Sequence, residues 1–105
     1  MKLLTKELQK QLPTCDDFVD DSNPMIYAKF FTPDSGWTWF VAAGQQEDDD
    51  YLFYGFVIGP FPEWGHFPLK ELQSVQGAIG LPVERDLHFK PARWNVVKDR
   101  YRIKE

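Results

Sequence analysis

The residues best suited to chemistry lie close together near the C-terminal end of the sequence. Glu84, Asp86 and His88 occupy alternate positions in the segment VERDLHF, and alternate residues of a β-strand project from the same side of a sheet. Two carboxylates and an imidazole on one side could bind a divalent metal or carry out acid and base catalysis. With Arg85 and Lys90 nearby, the pattern is also typical of a solvated strand face held by salt bridges, which is the more common arrangement.

Weaker chemical signals come from isolated residues. Glu63 and His66 have a spacing that suits a metal site on a helix, but the glycine between them and the flanking prolines disfavour a helix. Cys15 has no sequence signature that pairs it with a histidine as a nucleophile. The acidic run 48–50 lacks the ligand pattern of a calcium loop, and no phosphate-binding glycine motif is present. The sequence therefore predicts no metal site and no cofactor.

Aromatic residues offer an alternative to catalysis. The sequence contains nine Phe, four Tyr and four Trp, and Trp37 and Trp39 would share one face of a strand. An exposed aromatic face could stack on single-stranded nucleic acid or anchor a protein partner, with help from basic residues. If helices and the tail cover both faces, the aromatics form a core instead, which is the more common outcome. The candidate binding residues are Tyr27, Trp37, Trp39, Tyr54, Lys90, Arg93, Arg100 and Arg102.

Two helices are predicted, one before the strands in the sequence and one after them. Leucines at positions 4, 8 and 12 recur at helical spacing, with Thr5 suited to the N-cap and Pro13 to the end of the helix. A second helix begins at Pro68 and stops at Gly77, with its apolar face formed by residues 69, 72 and 75. Both helices are amphipathic, so each is expected to pack on the sheet.

Three strands are predicted between the helices because β-forming residues alternate with turn residues. The strands are residues 25–32, 37–43 and 51–59. The turns between them are residues 33–36 and the polar segment 44–50. Residues 14–24 are predicted to be a loop, and the proline-containing segment 59–65 is predicted to be an irregular crossing. This order predicts an antiparallel meander.

The last part of the sequence has two interpretations. Residues 83–89 look extended and are expected to reach the sheet edge. Beyond them, Trp94, Val97 and Tyr101 fit a helical face, whereas Tyr101 and Ile103 fit a strand, so the state stays open. The sequence predicts an α+β fold with a small three- to four-stranded antiparallel sheet and two helices, ordered α-β-β-β-α before an extended tail. We expect a single domain over 1–91 and a basic C-terminal extension over 92–105.

Length, composition and charge limit the function classes. A chain of 105 residues suffices for one domain, and its 43% hydrophobic and 27% charged residues are typical of a folded protein. Apolar runs fall short of the roughly 20 residues of a membrane span, and the single cysteine fits the cytoplasm. Residues 1–82 hold 5 Lys and Arg against 12 Asp and Glu, whereas residues 83–105 hold 7 against 4. We expect the basic tail to pair with the acidic body.

Four segments of the sequence together resemble a known family. In chain order they are MKLLTKELQKQLP, YAKFFTPDSGWTW, FYGFVIGPFPEWGHFPLKEL and GLPVERDLHFKP, and they span residues 1–91. The sequence resembles an uncharacterised family of small bacterial proteins, common on plasmids and other mobile elements, that is catalogued as a domain of unknown function. The resemblance implies one intracellular bacterial domain and brings no catalytic residue, substrate or cofactor with it.

Two functions are consistent with these observations. We favour a small non-enzymatic binding module of a bacterial mobile element, which uses an aromatic sheet face and the basic tail to bind a protein or a single-stranded nucleic acid. No membrane partner is expected, and an apolar second face predicts self-association as a homodimer. In a variant of this function, the acidic body imitates the charge of DNA. The alternative is a small metal-dependent or acid/base hydrolase centred on Glu84, Asp86 and His88.

Overall fold

The computed structural model describes residues 2–16 and 22–104 of the chain. The helices and strands in this part of the chain are, in order, α1 (Lys6–Gln11), β1 (Met25–Ile26), β2 (Ala28–Phe31), β3 (Thr38–Glu47), β4 (Asp50–Ile58), β5 (Glu63–Pro68), α2 (Leu69–Ser74), β6 (Glu84–Arg85), β7 (Ala92–Arg93) and α3 (Trp94–Tyr101). The loop predicted over 14–24 includes residues 17–21, which lie outside the described residues.

Five strands form one antiparallel sheet in the spatial order β5-β4-β3-β2-β6. β2 to β5 are neighbours both in sequence and in space, so the predicted meander is present. β6 extends it by pairing with β2, and β1 pairs with β7 in a separate two-stranded sheet. The α+β class is confirmed. The counts are corrected to five strands in the main sheet and, within the described residues, three helices.

α1 begins where the sequence predicts. The hydroxyl of Thr5, the N-cap residue, accepts a hydrogen bond from the backbone N–H of Leu8 at 3.2 Å, which satisfies one of the free donors at the start of a helix. The helix ends before Leu12, next to Pro13. Leu8 and Leu12 are buried, as their helical spacing predicts.

The hairpin between β3 and β4 is longer than predicted. The expected turn over 44–50 is wrong for most of its length, because β3 continues to Glu47 and the chain reverses at Asp48 and Asp49. The side-chain amide of Gln46 donates to the carbonyl oxygens of Asp48 and Asp50 at 2.9 and 2.7 Å. Polar strand residues therefore stabilise this turn from within the strand, which composition alone does not reveal.

β5 is not predicted from the sequence because prolines surround it. The irregular crossing predicted over 59–65 ends at Pro62, and the chain from Glu63 pairs with β4 as a regular antiparallel strand. β5 lies at the edge of the sheet, where strands tolerate proline, and Pro68 is its last residue. The crossing is therefore shorter than predicted, and the sheet gains an edge strand.

The C-terminal segment is a helix and not an extended tail. Trp94 and Val97 of α3 are buried against the sheet, and this packing decides between the helical and strand patterns. The segment predicted to be extended over 83–89 is a strand only at Glu84–Arg85, after which Leu87 and His88 form a turn. Trp94 and Val97 thus contribute this segment's side chains to the packed core.

Both faces of the sheet are covered. α1 and α2 pack on what we call the first face, around Phe30, Trp39, Val41, Phe53, Phe67 and Leu72. α3 packs on the opposite, second face, around Phe40, Ala42, Phe56, Trp94 and Val97. Among the described residues, no helix has both the length and the apolar character needed to cross a membrane.

Candidate binding cleft

The three residues that the sequence offers for catalysis do not converge. β6 ends at Arg85, so Glu84, Asp86 and His88 do not alternate along one strand. The Asp86 carboxylate instead accepts the backbone N–H of His88 at 2.9 Å and pairs with the Lys29 ammonium at 3.3 Å. Within residues 2–16 and 22–104, no three or more His, Cys, Asp or Glu side chains form a group that could hold a metal ion.

The contacts of Asp86 give it a structural role. Burial by itself would raise the pKa of this carboxyl, but the His88 N–H and the Lys29 ammonium outweigh burial and lower the pKa below its ordinary value. The same ammonium lies over the ring of Tyr101 in α3, 4.8 Å from its centroid. Asp86 therefore forms part of a charged contact between the sheet and α3.

Cys15 is also held by structural contacts. Its backbone N–H donates to the side chain of Gln45 at 2.9 Å, and its Sγ lies 3.8 Å from the carbonyl oxygen of Leu52. Burial, together with the charges of Asp16 and Glu47, raises the pKa of the thiol, which disfavours the nucleophilic thiolate. The contacts that the structure gives this thiol do not include a histidine.

The four aromatic candidates lie in different environments. Trp39 is buried in the first face, and Tyr27 packs half-buried against the same cluster. Tyr54 belongs to the second face, where its ring stacks on Trp64 with 6.0 Å between centroids. Trp37 remains 36% exposed just before β3. The four rings therefore do not lie on one common face, and Trp37 is the most exposed of them.

The basic candidates lie on the other side of the sheet from Trp37. All are exposed in or beside α3, which covers the second face; they are Lys90, Arg93, Arg100 and Arg102. Arg100 already has local contacts, because its guanidinium donates to the carbonyl oxygen of Lys90 at 2.8 Å and lies over the ring of Phe89. The aromatic and basic candidates therefore do not form one continuous site.

A cleft opens on the first face between the sheet and α2. Its volume is about 340 Å³, near the lower end of the roughly 300 to 1,000 Å³ that is usual for ligand pockets. Apolar side chains form most of its lining, and two carboxylates supply charge. The lining residues are Trp37, Trp39, Val57, Glu63, Gly65, His66, Phe67, Glu71, Leu72 and Val75.

Gly65 keeps this cleft open. It lies in β5 on the same side of the sheet as Glu63 and Phe67, since residues two apart in a strand share a face. A Cβ added at Gly65 would meet no atom within 4 Å. The space above this glycine is thus part of the cleft, and a side chain at this position would occupy it.

Glu63 and His66 point to opposite faces of the sheet. They are separated by an odd number of positions in β5, and the His66 ring packs on Tyr54 of the second face with 4.7 Å between centroids. His66 therefore contributes its backbone to the cleft. Glu63 is paired in register with Val57, which lines the cleft as well. The structure separates the two residues considered for a metal pair.

Hydrogen bonds in the turn between β2 and β3 fix Trp37 over Trp39. The two rings stack with 5.7 Å between centroids and 21° between planes. The buried hydroxyl of Thr32 accepts hydrogen bonds from the Trp37 backbone N–H and the Ser35 hydroxyl, both at 2.9 Å. The Trp37 ring also lies against Gly59, where a Cβ would collide with it. The turn thus sets the position of the exposed indole.

The acidic turn between β3 and β4 anchors α2. The backbone N–H of Lys70 donates to the Asp50 carboxylate at 3.1 Å, and the Lys70 ammonium pairs with Asp49 at 2.8 Å. The hydrogen bond that the Lys70 ammonium donates to Asp49, together with its charge, lowers the pKa of the Asp49 carboxyl. With α2 held in this way, Leu72 is buried and Glu71 lies at the cleft.

Asp34 holds the segment that follows α2. One of its carboxylate oxygens accepts the backbone N–H groups of Ile79 at 2.8 Å and Leu81 at 3.3 Å. A Cβ at Gly77 would collide with this carboxylate. Ile79 and Leu81 are exposed, as is Phe61 between β4 and β5. Strand register places these segments where β2 and β4 end and β3 and β5 begin, which we call the cleft end.

Most of this cleft does not follow from any local sequence pattern. Strand alternation predicts that Trp37 and Trp39 share a face, and the structure agrees. Gly65, Glu71 and Val75 come from β5 and α2, whose packing against each other no local pattern predicts. A usable signal was the glycine inside the aromatic run EWGHF, because an isolated glycine in a strand indicates missing side-chain volume or a close approach.

Comparisons with known proteins identify a family but no characterised relative. A family model matches residues 3–96, which include every residue of the cleft, and it describes a protein of unknown function. No curated protein and no solved structure matches the chain. The resemblance to a family catalogued as a domain of unknown function is thereby confirmed.

Proposed function

The chain belongs to the DUF2958 family of proteins of unknown function, and we propose that it acts as a small non-enzymatic interaction module that binds a protein at its cleft end. The observation that carries this proposal is the accessible Trp37 indole, stacked on the buried Trp39 at the cleft. Tryptophan is strongly enriched among the residues that dominate protein–protein binding energy. A rigid, partly exposed indole beside a pocket is typical of such an anchor point.

Exposed apolar side chains around the cleft support this function. Of seven large hydrophobic side chains exposed in the described residues, four belong to the segments of the cleft end: Trp37, Phe61, Ile79 and Leu81. Phe61 and Ile79 are nearly fully exposed, at 79% and 78%. Apolar side chains grouped at one end of a soluble domain are characteristic of interaction surfaces.

Charge favours a protein over a nucleic acid at this end. The cleft lining contains Glu63 and Glu71 but neither lysine nor arginine, and carboxylates repel the phosphate backbone on which nucleic-acid affinity depends. The four basic candidates, Lys90, Arg93, Arg100 and Arg102, lie in or beside α3, across the sheet. We therefore assign the aromatic site to a protein partner and treat nucleic acid as the outcome that would contradict this assignment.

The biological setting is part of the same proposal. We place the module in the cytoplasm of a bacterium, encoded by a plasmid or another mobile element. The sequence motifs quoted above and the single cysteine support this setting. Self-association through the cleft end is one form that the protein partner could take, and sedimentation at high protein concentration measures it.

Site-specific photo-cross-linking in the native host tests the proposed function. A photoreactive amino acid replaces Phe61 at the cleft end or, as the matched control, Leu87 at the other edge of the sheet, since both are exposed apolar residues. We expect a discrete protein adduct from position 61 and none from position 87. A nuclease-sensitive adduct, or no adduct from position 61, would contradict a protein-binding cleft end.

A further inference from the structure

We infer that the cleft receives the guanidinium group of an arginine from a basic segment of the partner. This inference rests on the proposed function, because it assigns the chemical group that enters the same cleft. Three features of the lining carry it: two carboxylates without a cation, a stacked pair of indoles, and a small volume bounded by apolar side chains.

The carboxylates make the cleft electrostatically complementary to a cation. Glu63 lies in β5 and Glu71 in α2, so acidic side chains border the cleft from both of its walls. Within residues 2–16 and 22–104, neither carboxylate has an ion pair or a side-chain hydrogen bond. A guanidinium group can donate parallel hydrogen bonds to a carboxylate, which adds directionality to the attraction.

The indoles favour arginine over lysine. A cation positioned over the face of a tryptophan is attracted by the negative charge density of the ring. A guanidinium is planar and more weakly hydrated than an ammonium, so it also stacks on aromatic rings and loses less solvation when it enters a pocket. Trp37 presents a partly exposed ring for this contact, and its position is fixed by Trp39 beneath it.

The size and apolar walls of the cleft suit one long side chain. A volume of about 340 Å³ lies near the lower end of the usual range for ligand pockets and leaves room for one long side chain. Val57, Leu72 and Val75 line it, and such groups can pack against the methylene stem of an arginine while the charged head reaches the carboxylates. The lining thus matches both parts of this side chain.

The test is an NMR titration of the full chain with three blocked pentapeptides, Gly-Gly-Arg-Gly-Gly and its citrulline and lysine counterparts. Citrulline keeps the shape of arginine but carries no charge. We expect the Trp37 indole N–H signal to shift in a saturable way with the arginine peptide, with affinity at least about tenfold weaker for the citrulline peptide, a difference of about 1.4 kcal/mol. The Lys counterpart should bind with intermediate affinity.

Variants locate the binding. Glu63→Gln combined with Glu71→Gln should weaken the arginine peptide at least about tenfold, whereas Glu84→Gln, at the opposite edge of the sheet, is the matched control and should leave affinity unchanged. Gly65→Val should abolish the shift, because the new side chain fills the cleft without a clash in its first atom. The amide spectrum of each variant checks that the fold is retained.

Two results would overturn the inference, and a third would identify the partner. Equal binding of the arginine and citrulline peptides, or no Trp37 shift with either, would refute a guanidinium site. Neither result would affect cross-linking at position 61, so the proposed function would be judged separately. Trp37 shifts that grow with protein concentration alone and vanish in Arg100→Gln, Arg102→Gln would show that a second copy, and not a separate partner, supplies the arginine.

Discussion

At the scale of single residues, Thr32 links the fold to the cleft. Its hydroxyl is the buried acceptor that fixes the backbone of Trp37. Replacing Thr32 with valine keeps the shape of the side chain but leaves this N–H without its partner, so we expect a loss of about 1 to 2 kcal/mol in the free energy of unfolding. Urea denaturation measures it.

Ser35→Ala is the matched control for Thr32→Val. It removes the other donor to the same hydroxyl but leaves the Trp37 backbone bonded, so its cost should be at most about half as large. Equal stability of Thr32→Val and the parent chain would show that the turn does not depend on this hydroxyl.

Cys15 has a residue-scale pH dependence. Because burial and the charges of Asp16 and Glu47 raise the pKa of its thiol, the reactive thiolate should form only above the usual range near about 8.5. Alkylation by iodoacetamide, followed by mass spectrometry from pH 7 to 10, should therefore reach half of its maximal rate at a higher pH than for free cysteine. Glu47→Gln should move this midpoint to lower pH. A midpoint below that of free cysteine would contradict the structure.

At the scale of elements, α3 determines whether the second face is covered. Val96 and Val97 are neighbours in this helix, yet Val97 is fully buried and Val96 is 46% exposed. Val97→Ala should cost about 2 kcal/mol, because it removes two methyl groups from a packed cluster. Val96→Ala should change stability by at most about 0.5 kcal/mol. Chemical denaturation of both variants provides the comparison, and equal effects would show that α3 is not docked.

The sequence predicts elements where local chemistry is sufficient. Thr5 predicts the start of α1, and the turn residues after β2 predict the first hairpin. The last segment fits both a helix and a strand because its local pattern is satisfied by either. The helix is selected by contacts with Phe40 and Phe56, which lie more than 35 residues earlier in the chain and form the surface on which Trp94 packs.

The cleft likewise combines a feature that local sequence predicts with one that depends on contacts between distant segments. The Trp37–Trp39 alternation is a local property, and it is predicted. The approach of Glu71 to Glu63 requires α2 to be anchored through Lys70 to Asp49 and Asp50, an arrangement between segments about 20 residues apart. Local sequence patterns indicate α2 and the acidic turn separately, but they do not predict the contact between them.

At the scale of the whole molecule, the charges that are uneven along the sequence are also separated in space. The acidic cleft lies on the first face, and the basic helix α3 covers the second. The ion pair between Lys29 and Asp86 joins the acidic body to the last part of the chain. This pair has the opposite polarity to the expected one, because the lysine belongs to the body and the carboxylate to the C-terminal segment.

This ion pair predicts how stability depends on pH. The pKa of Asp86 is lower in the folded chain than its ordinary value, so its contribution is complete above the unfolded pKa of about 3.9 and is lost as pH falls through the folded pKa. Asp86→Asn should thus reduce the free energy of unfolding at pH 7 by about 1 kcal/mol and have less effect near pH 2.5. Thermal unfolding at both pH values measures this difference. The same loss at both would exclude the charge as its source.

The long sequence separation between β5 and α3, the helix that covers the second face, has a consequence for synthesis on the ribosome. β2 to β5 can pair one after another as they emerge, but α3 follows the end of β5 only after roughly 25 residues, which takes about 1 to 5 seconds at bacterial to eukaryotic elongation rates. During that interval Phe40, Phe56 and Trp64 form an uncovered aromatic surface on the nascent chain. Slower elongation while α3 is still inside the ribosome would lengthen this exposure and favour association between neighbouring nascent chains.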